Sequence, residues 1–163
     1  MAAAQLIPKH EGMKTLVNNM DWSKTAIGVQ ETWPAALRMQ VDFLLANRFP
    51  MVLFWGPNFI SIYNDAYQPM LGDKHPRALG QPVREILSEA WETLEPLLSG
   101  PYLGGPSTWV EDLELELRRS EAAIEEAHFA VAYSPVPDAT APNGIGGVIA
   151  VVHEISQSII SER

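Results

Sequence analysis

FPMVLFWGPNFISIYND, residues 49–65, decides the fold. Met51 to Trp55 is a short apolar run, Gly56-Pro57-Asn58 is turn chemistry, and Phe59, Ile60, Ile62 and Tyr63 form a second run. Two β-rich runs around a Gly-Pro-Asn turn predict a hairpin. Asn64 or Asp65 then caps a short helix from Ala66 to Leu71, which Gly72 ends.

Upstream, residues 11–20 predict a marginal helix, with Leu16, Val17 and Met20 at helical spacing. Asp21-Trp22-Ser23 is a turn or cap. Thr32-Trp33-Pro34 opens a stronger helix, whose proline sits where its missing N–H costs nothing. Leu37, Val41, Leu44 and Leu45 mark its buried face, and Pro50 stops the helix after Arg48. Downstream, residues 72–83 read as loop with one helical turn. Trp91, Leu94 and Leu98 then share a helix face, with Ser88 as cap and Pro96 distorting the last turn. The Gly-Pro-rich stretch 99–107 reads as a connector. Trp109, Leu113, Leu115 and Leu117 alternate with Asp112, Glu114 and Glu116, which predicts a strand with Trp109 on its apolar face. Phe129, Val131 and Tyr133 predict a second strand, Pro135 to Pro142 a loop, and Gly144 to Ile155 a third strand. The order helix, strand, strand, short helices, helix, three strands, helix predicts an α+β domain: one five-stranded antiparallel sheet with helices on one face.

The composition prunes function. The 163 residues hold no cysteine, which excludes disulfides, thiolate metal sites and any covalent thiol adduct. No apolar run reaches the roughly 18 residues of a membrane span, so a soluble domain without membrane insertion is expected. Net charge is −9, and residues 85–126 alone account for it, with eleven acidic residues against Arg118 and Arg119. Nucleic-acid binding is disfavoured, because no basic face is present to release counterions from phosphate.

Neither a catalytic nor a metal site is expected. His10, His75, His128 and His153 form no ligand pair at helical spacing, and GxSxG, GxxxxGK[ST] and GxGxxG are absent. His128 and His153 read as packed or edge histidines; His75, on a loop beside the short helices, is the one candidate ligand contact. Asp112, Glu114 and Glu116 share a strand face with no interleaved partner, which suits solvent. The aromatic residues are more informative. Tyr63, Tyr67, Trp91, Trp109 and Tyr133, with Asn64 and His75, are candidates to line a small-molecule pocket over one sheet face.

The chain resembles PAS sensory domains, particularly those at the N-terminus of bacterial sensor histidine kinases. The resemblance is carried by DWSKTAIG (21–28), WPAALR (33–38), FPMVLFWGPNFISIYNDAY (49–67), LGDKHPRALGQPVREI (71–86), TWVEDLELEL (108–117), EEAHFAVAYSPVPD (125–138) and GIGGVIAVVHE (144–154). Glu154-Ile155-Ser156 stands where the family has a D-[IV]-T-like motif; Ala26 departs from the subgroup's usual proline. The resemblance implies a sheet in the order 2-1-5-4-3, with residues 1–48 as a helical cap, 49–156 as the PAS core and 157–163 as the start of an outgoing signalling helix. It implies a cytoplasmic input domain of two-component signal transduction, not itself an enzyme. Such a domain binds a small ligand or dimerises through its cap and outgoing helix, and regulates a C-terminal kinase directly or through further sensory modules. A ligand-free dimerisation and relay module is the alternative. Glu154 and Ser156 become relay candidates, with Glu154 tied to an Arg or Trp of the core. Without cysteine, cysteinyl-flavin and thioester chromophores are excluded. Haem is disfavoured, since residues 88–99 lack the histidine such members use. Non-covalent FAD or an unidentified metabolite stays open.

Overall fold

The computed structural model describes residues 12–162; His10 and the first residues of the cap lie outside them. The elements are α1 (Gly12–Asn19), α2 (Ala35–Ala46), β1 (Met51–Trp55), β2 (Ile60–Tyr63), α3 (Gln68–Leu71), α4 (Val83–Ile86), α5 (Trp91–Tyr102), β3 (Thr108–Leu117), β4 (Glu125–Pro137), β5 (Ile145–Glu154) and α6 (Ser156–Ser161), with short 3-10 turns between several of them. The strands form one antiparallel sheet in the order β2-β1-β5-β4-β3, as expected.

Register sorts the side chains onto two faces. Val52, Phe54, Val131, Tyr133 and Val152 point to the inner face and pack against Tyr67, Met70, Leu87 and Leu94 of the helical flank. Met51, Leu53 and Trp55 point the other way and are buried too, because α2 lies over the outer side of β1 and β2. That burial on both sides is why β1 reads as an unbroken apolar run. The cap is locked by its tryptophans. Trp22 and Trp33 meet edge to face at 5.1 Å, and their indole N–H groups donate to the carbonyls of Val17 and Gly28 at 2.8 Å each.

The glycines that lead β5 serve this packing. A Cβ on Gly146 would lie 2.2 Å from the Trp55 ring, and one on Gly147 2.5 Å from the Phe54 carbonyl oxygen. Only glycine lets β1 and its indole lie flat against β5.

Four boundaries differ from the sequence reading. Segment 72–83 is stitched along the free edge of β2: Ser61 N–H donates to Gln81 O, Gly80 N–H to Ser61 O and Val83 N–H to Phe59 O. The edge is thereby covered. Helix α5 passes through Pro96 and Pro101 to Tyr102, into the stretch read as connector, and Ser88 sits in a 3-10 turn without capping it. β4 runs on to Pro137, since beyond Tyr133 its β3 side is unpaired and a missing N–H there costs little. The fourth concerns Trp109. A bulge at Glu111 and Asp112 sets two residues of β3 against one of β4 and reverses the phase of the strand. Val110 therefore joins Leu113 on the inner face, and Trp109, 65% exposed, lies on the outer one.

Candidate functional site

The inner face holds a cavity of about 30 Å³, lined by Phe54, Tyr67, Met70, Leu94, Phe129 and Tyr133 among others. That is room for a water or two, against several hundred Å³ for a typical ligand pocket. No flavin fits in it. Of the seven sequence-derived pocket candidates, Tyr67 and Tyr133 line this cavity. Burial pushes both phenols well above their ordinary value, so they are neutral. Trp91 packs instead on Phe59, ring centroids 6.3 Å apart, and Trp109 is on the far side of the sheet. A wider, open groove of about 660 Å³ lies in the cap beside Lys14, Trp33, Arg38 and Asp42, away from all seven.

Tyr63, Asn64 and His75 form a corner with a structural task. Asn64 is fully buried and its amide is saturated. Its Oδ1 accepts from Met51 N–H at 3.1 Å and Tyr67 N–H at 3.2 Å, while Nδ2 donates to the carbonyls of Leu44, Asn47 and Phe49 at 3.0, 3.1 and 2.8 Å. One side chain thus ties the end of α2, the entry to β1 and the turn into α3, with no capacity left for a ligand. The Tyr63 hydroxyl and His75 Nδ1 share a hydrogen bond at 2.8 Å. Burial pushes the His75 imidazole below its ordinary value, which favours the neutral ring.

The richest polar geometry surrounds Arg119, in the turn between β3 and β4. Its Nη1 and Nη2 donate to Glu154 Oε1 and Oε2 at 2.8 and 2.7 Å, a bidentate pair. Nη1 also reaches the Pro69 carbonyl at 3.1 Å, and Nε lies 3.0 Å from Glu125 Oε1, out of line for a hydrogen bond. The guanidinium carbon sits 5.9 Å from the centroid of the Phe129 ring. Its backbone is held as well: Asp73 N–H donates to Arg119 O at 2.7 Å, and a Cβ on Gly72 would fall 2.4 Å from that oxygen. Gly72, at φ 56°, is needed both for its backbone and for this close approach.

Glu154 carries the connection onward. Ser156 Oγ donates to Glu154 Oε2 at 2.7 Å and accepts from His128 N–H at 2.9 Å, while Ile155 N–H donates to His128 O at 2.8 Å. The Arg119 hydrogen bonds hold the Glu154 carboxyl below its ordinary value against the opposing effect of burial. The guanidinium joins the helical flank and the β3–β4 turn to the end of β5, and Glu154 passes the connection to Ser156, the first residue of α6. Beside it, Lys74 and Glu89 form a buried ion pair, and Glu89 accepts from Arg118 N–H at 2.9 Å. Burial raises the Glu89 carboxyl, but these hydrogen bonds outweigh it and leave it below the ordinary value.

Sequence reasoning named Glu154 and Ser156 and expected an Arg or Trp partner, but did not single out Arg119. Its place between two acidic stretches, the one basic pair in residues 85–126, was the available signal.

No family model matches this chain, and neither does any curated protein. Solved structures do resemble it. The LOV protein of Rhodobacter sphaeroides aligns with a TM-score of 0.54 at 14% identity, over 79% of this chain and 70% of that one. The phage VqmA–DPO complex aligns at 0.52 and 12% identity, over 78% of this chain and 56% of the other. The PAS domain of Bordetella pertussis BvgS gives 0.49 and 16%, over 77% and 92%. At such identities the likeness is one of fold, an α+β PAS-like fold.

Proposed function

We propose that this PAS-fold chain is a cytoplasmic sensory relay domain, not an enzyme, which controls a C-terminal output, a histidine kinase of a two-component system or further sensory modules in series, through α6. The observation that carries the reading is the Arg119–Glu154–Ser156 connection, which places one charged node between the helical flank and the start of α6. A displacement of the flank at Pro69 or Asp73 moves Arg119, and Arg119 holds the carboxylate on which α6 begins.

The filled inner face favours a relay that works by packing and self-association. A small ligand would enter only by displacing side chains such as Tyr67 or Phe129, whose cavity is about 30 Å³. Homodimerisation through the cap and α6 belongs to this reading. The test is a chimera in which residues 1–163 replace the sensory domain of a histidine kinase. Arg119→Ala and Glu154→Gln should each shift autophosphorylation by several-fold, with the fold intact by circular dichroism. Unchanged kinase output in both would reject the relay. Native mass spectrometry of the purified chain tests the packing: a retained small molecule would restore the ligand-binding alternative.

A further inference from the structure

His128, 2% exposed, sits on the outer face of β4 with both ring nitrogens engaged by carboxylates. Asp112 Oδ1, carried there by the β3 bulge, lies 2.7 Å from Nδ1, and Glu126 Oε2 meets Nε2. An ionised carboxylate only accepts, so each contact needs an N–H, and a ring with two N–H groups is the imidazolium. Glu114 faces the same residue directly across the strands, and Glu116 faces Glu126. On β5 the next titratable group of that face is His153, opposite Ala130, and α6 carries no ionisable side chain. None of β3, β4 and β5 contains a Lys or Arg, so the imidazolium supplies the positive charge among these carboxylates. Sequence reading left Asp112 without a partner because that partner comes from the neighbouring strand.

We propose that His128 is a proton-operated latch on the start of α6: its imidazolium ties β3 to β4 beside Ser156, and loss of the proton releases that tie. The neutral ring keeps a single N–H. Either Asp112 or Glu126 then faces a lone pair, with Glu114 opposite, and like charge drives ring and carboxylate apart. The movement is not confined to the side chain. The His128 N–H donates to Ser156 Oγ at 2.9 Å and its carbonyl accepts from Ile155 N–H at 2.8 Å, so displacement reaches the first residue of α6. The proton has an exit, since the Asp112 and Glu126 side chains are 43% and 34% exposed. Hydrogen bonds to Glu126 and Asp112 hold the imidazole above its ordinary 6.5 against the opposing effect of burial. The stability of the latch is therefore complete below 6.5 and is lost as pH rises through the higher folded value. Control of a kinase by this latch rests on the relay reading above, whereas the latch itself is a property of the 163-residue chain.

Nuclear magnetic resonance of that chain, stepped from mildly acidic into alkaline pH, tests it. The His128 ring is expected to titrate above 6.5, and the Ile155 and His128 amides to shift with the same midpoint while β1 amides stay in place. Glu126→Gln and Asp112→Asn, both isosteric and partly exposed, should each lower that midpoint by about one pH unit. His153→Ala, on the neighbouring strand, should leave it unchanged. A His128 ring that titrates at or below 6.5, a midpoint indifferent to both carboxylate substitutions, or an Ile155 amide that ignores the titration would overturn the proposal. In the kinase chimera, output that stays flat with pH beside an intact Ile155 transition would reject the relay and leave the latch standing.

Discussion

The two faces of the sheet are used in opposite ways. The inner face is apolar and consumed by packing: Phe54, Phe129, Val131 and Val152 meet the helical flank around a cavity of about 30 Å³. The outer face is covered by α2 over β1 and β2, but past β5 it is open. It exposes Trp109 and Val151 there and places His128 among carboxylates. The groups able to answer to their surroundings therefore lie at the rim and outside, not in the interior where a pocket was expected. The Arg119 node stands at the rim, joined to the flank on one side and to α6 through Glu154 on the other.

Breaking the inner face should cost most. Phe54→Ala removes a buried ring from the cavity wall and is expected to destabilise the fold by about 3–5 kcal/mol in denaturant unfolding. The enlarged cavity should then accept a small apolar probe that the wild type refuses. Asn64→Ala comes next, at about 3 kcal/mol, since it leaves two N–H groups and three carbonyls without their shared partner. At the rim, Arg119→Ala strands a half-buried carboxylate and should cost about 2 kcal/mol. Outside, Trp109→Ser should change stability by less than about 0.5 kcal/mol. If Trp109 belongs to a self-association surface, the same substitution should reduce the dimer fraction in sedimentation.

Acidification sharpens the contrast between rim and interior. Glu154 and Glu89 are held below the ordinary value of 4.5, so the stability they contribute is complete above that pH and drains as pH falls through their lower folded values. Glu154→Gln should flatten that part of the profile. His75 is depressed from 6.5, so its share is complete above 6.5 and is lost as pH falls toward its folded value. A His75→Gln chain, which has lost the titrating ring, should show a weaker decline below pH 6.5 in unfolding at stepped pH.

Much of the fold was legible in local pattern. The 49–65 hairpin and the α2 face followed from apolar spacing, which rests on short-range rules, and the strand order followed from the resemblance. The misplacements share one cause, which is partners distant in sequence. Trp109 left the core because of a bulge whose register only β4 defines, and Asn64 became a structural tie because three carbonyls from the end of α2 and the approach to β1 converge on it. Glu154 was legible from its motif, whereas Arg119, 35 residues away, was not. Glycines 146 and 147 fell inside the expected third strand, but their task of admitting Trp55 was not legible, because Trp55 lies about 90 residues earlier.

Hydrogen exchange compared between the wild type and Glu154→Gln tests the relay most directly. The account predicts lost protection at the Ile155 and His128 amides and along α6, while β1 and β5 amides exchange as before. Unaltered protection from Ile155 through α6 would contradict it.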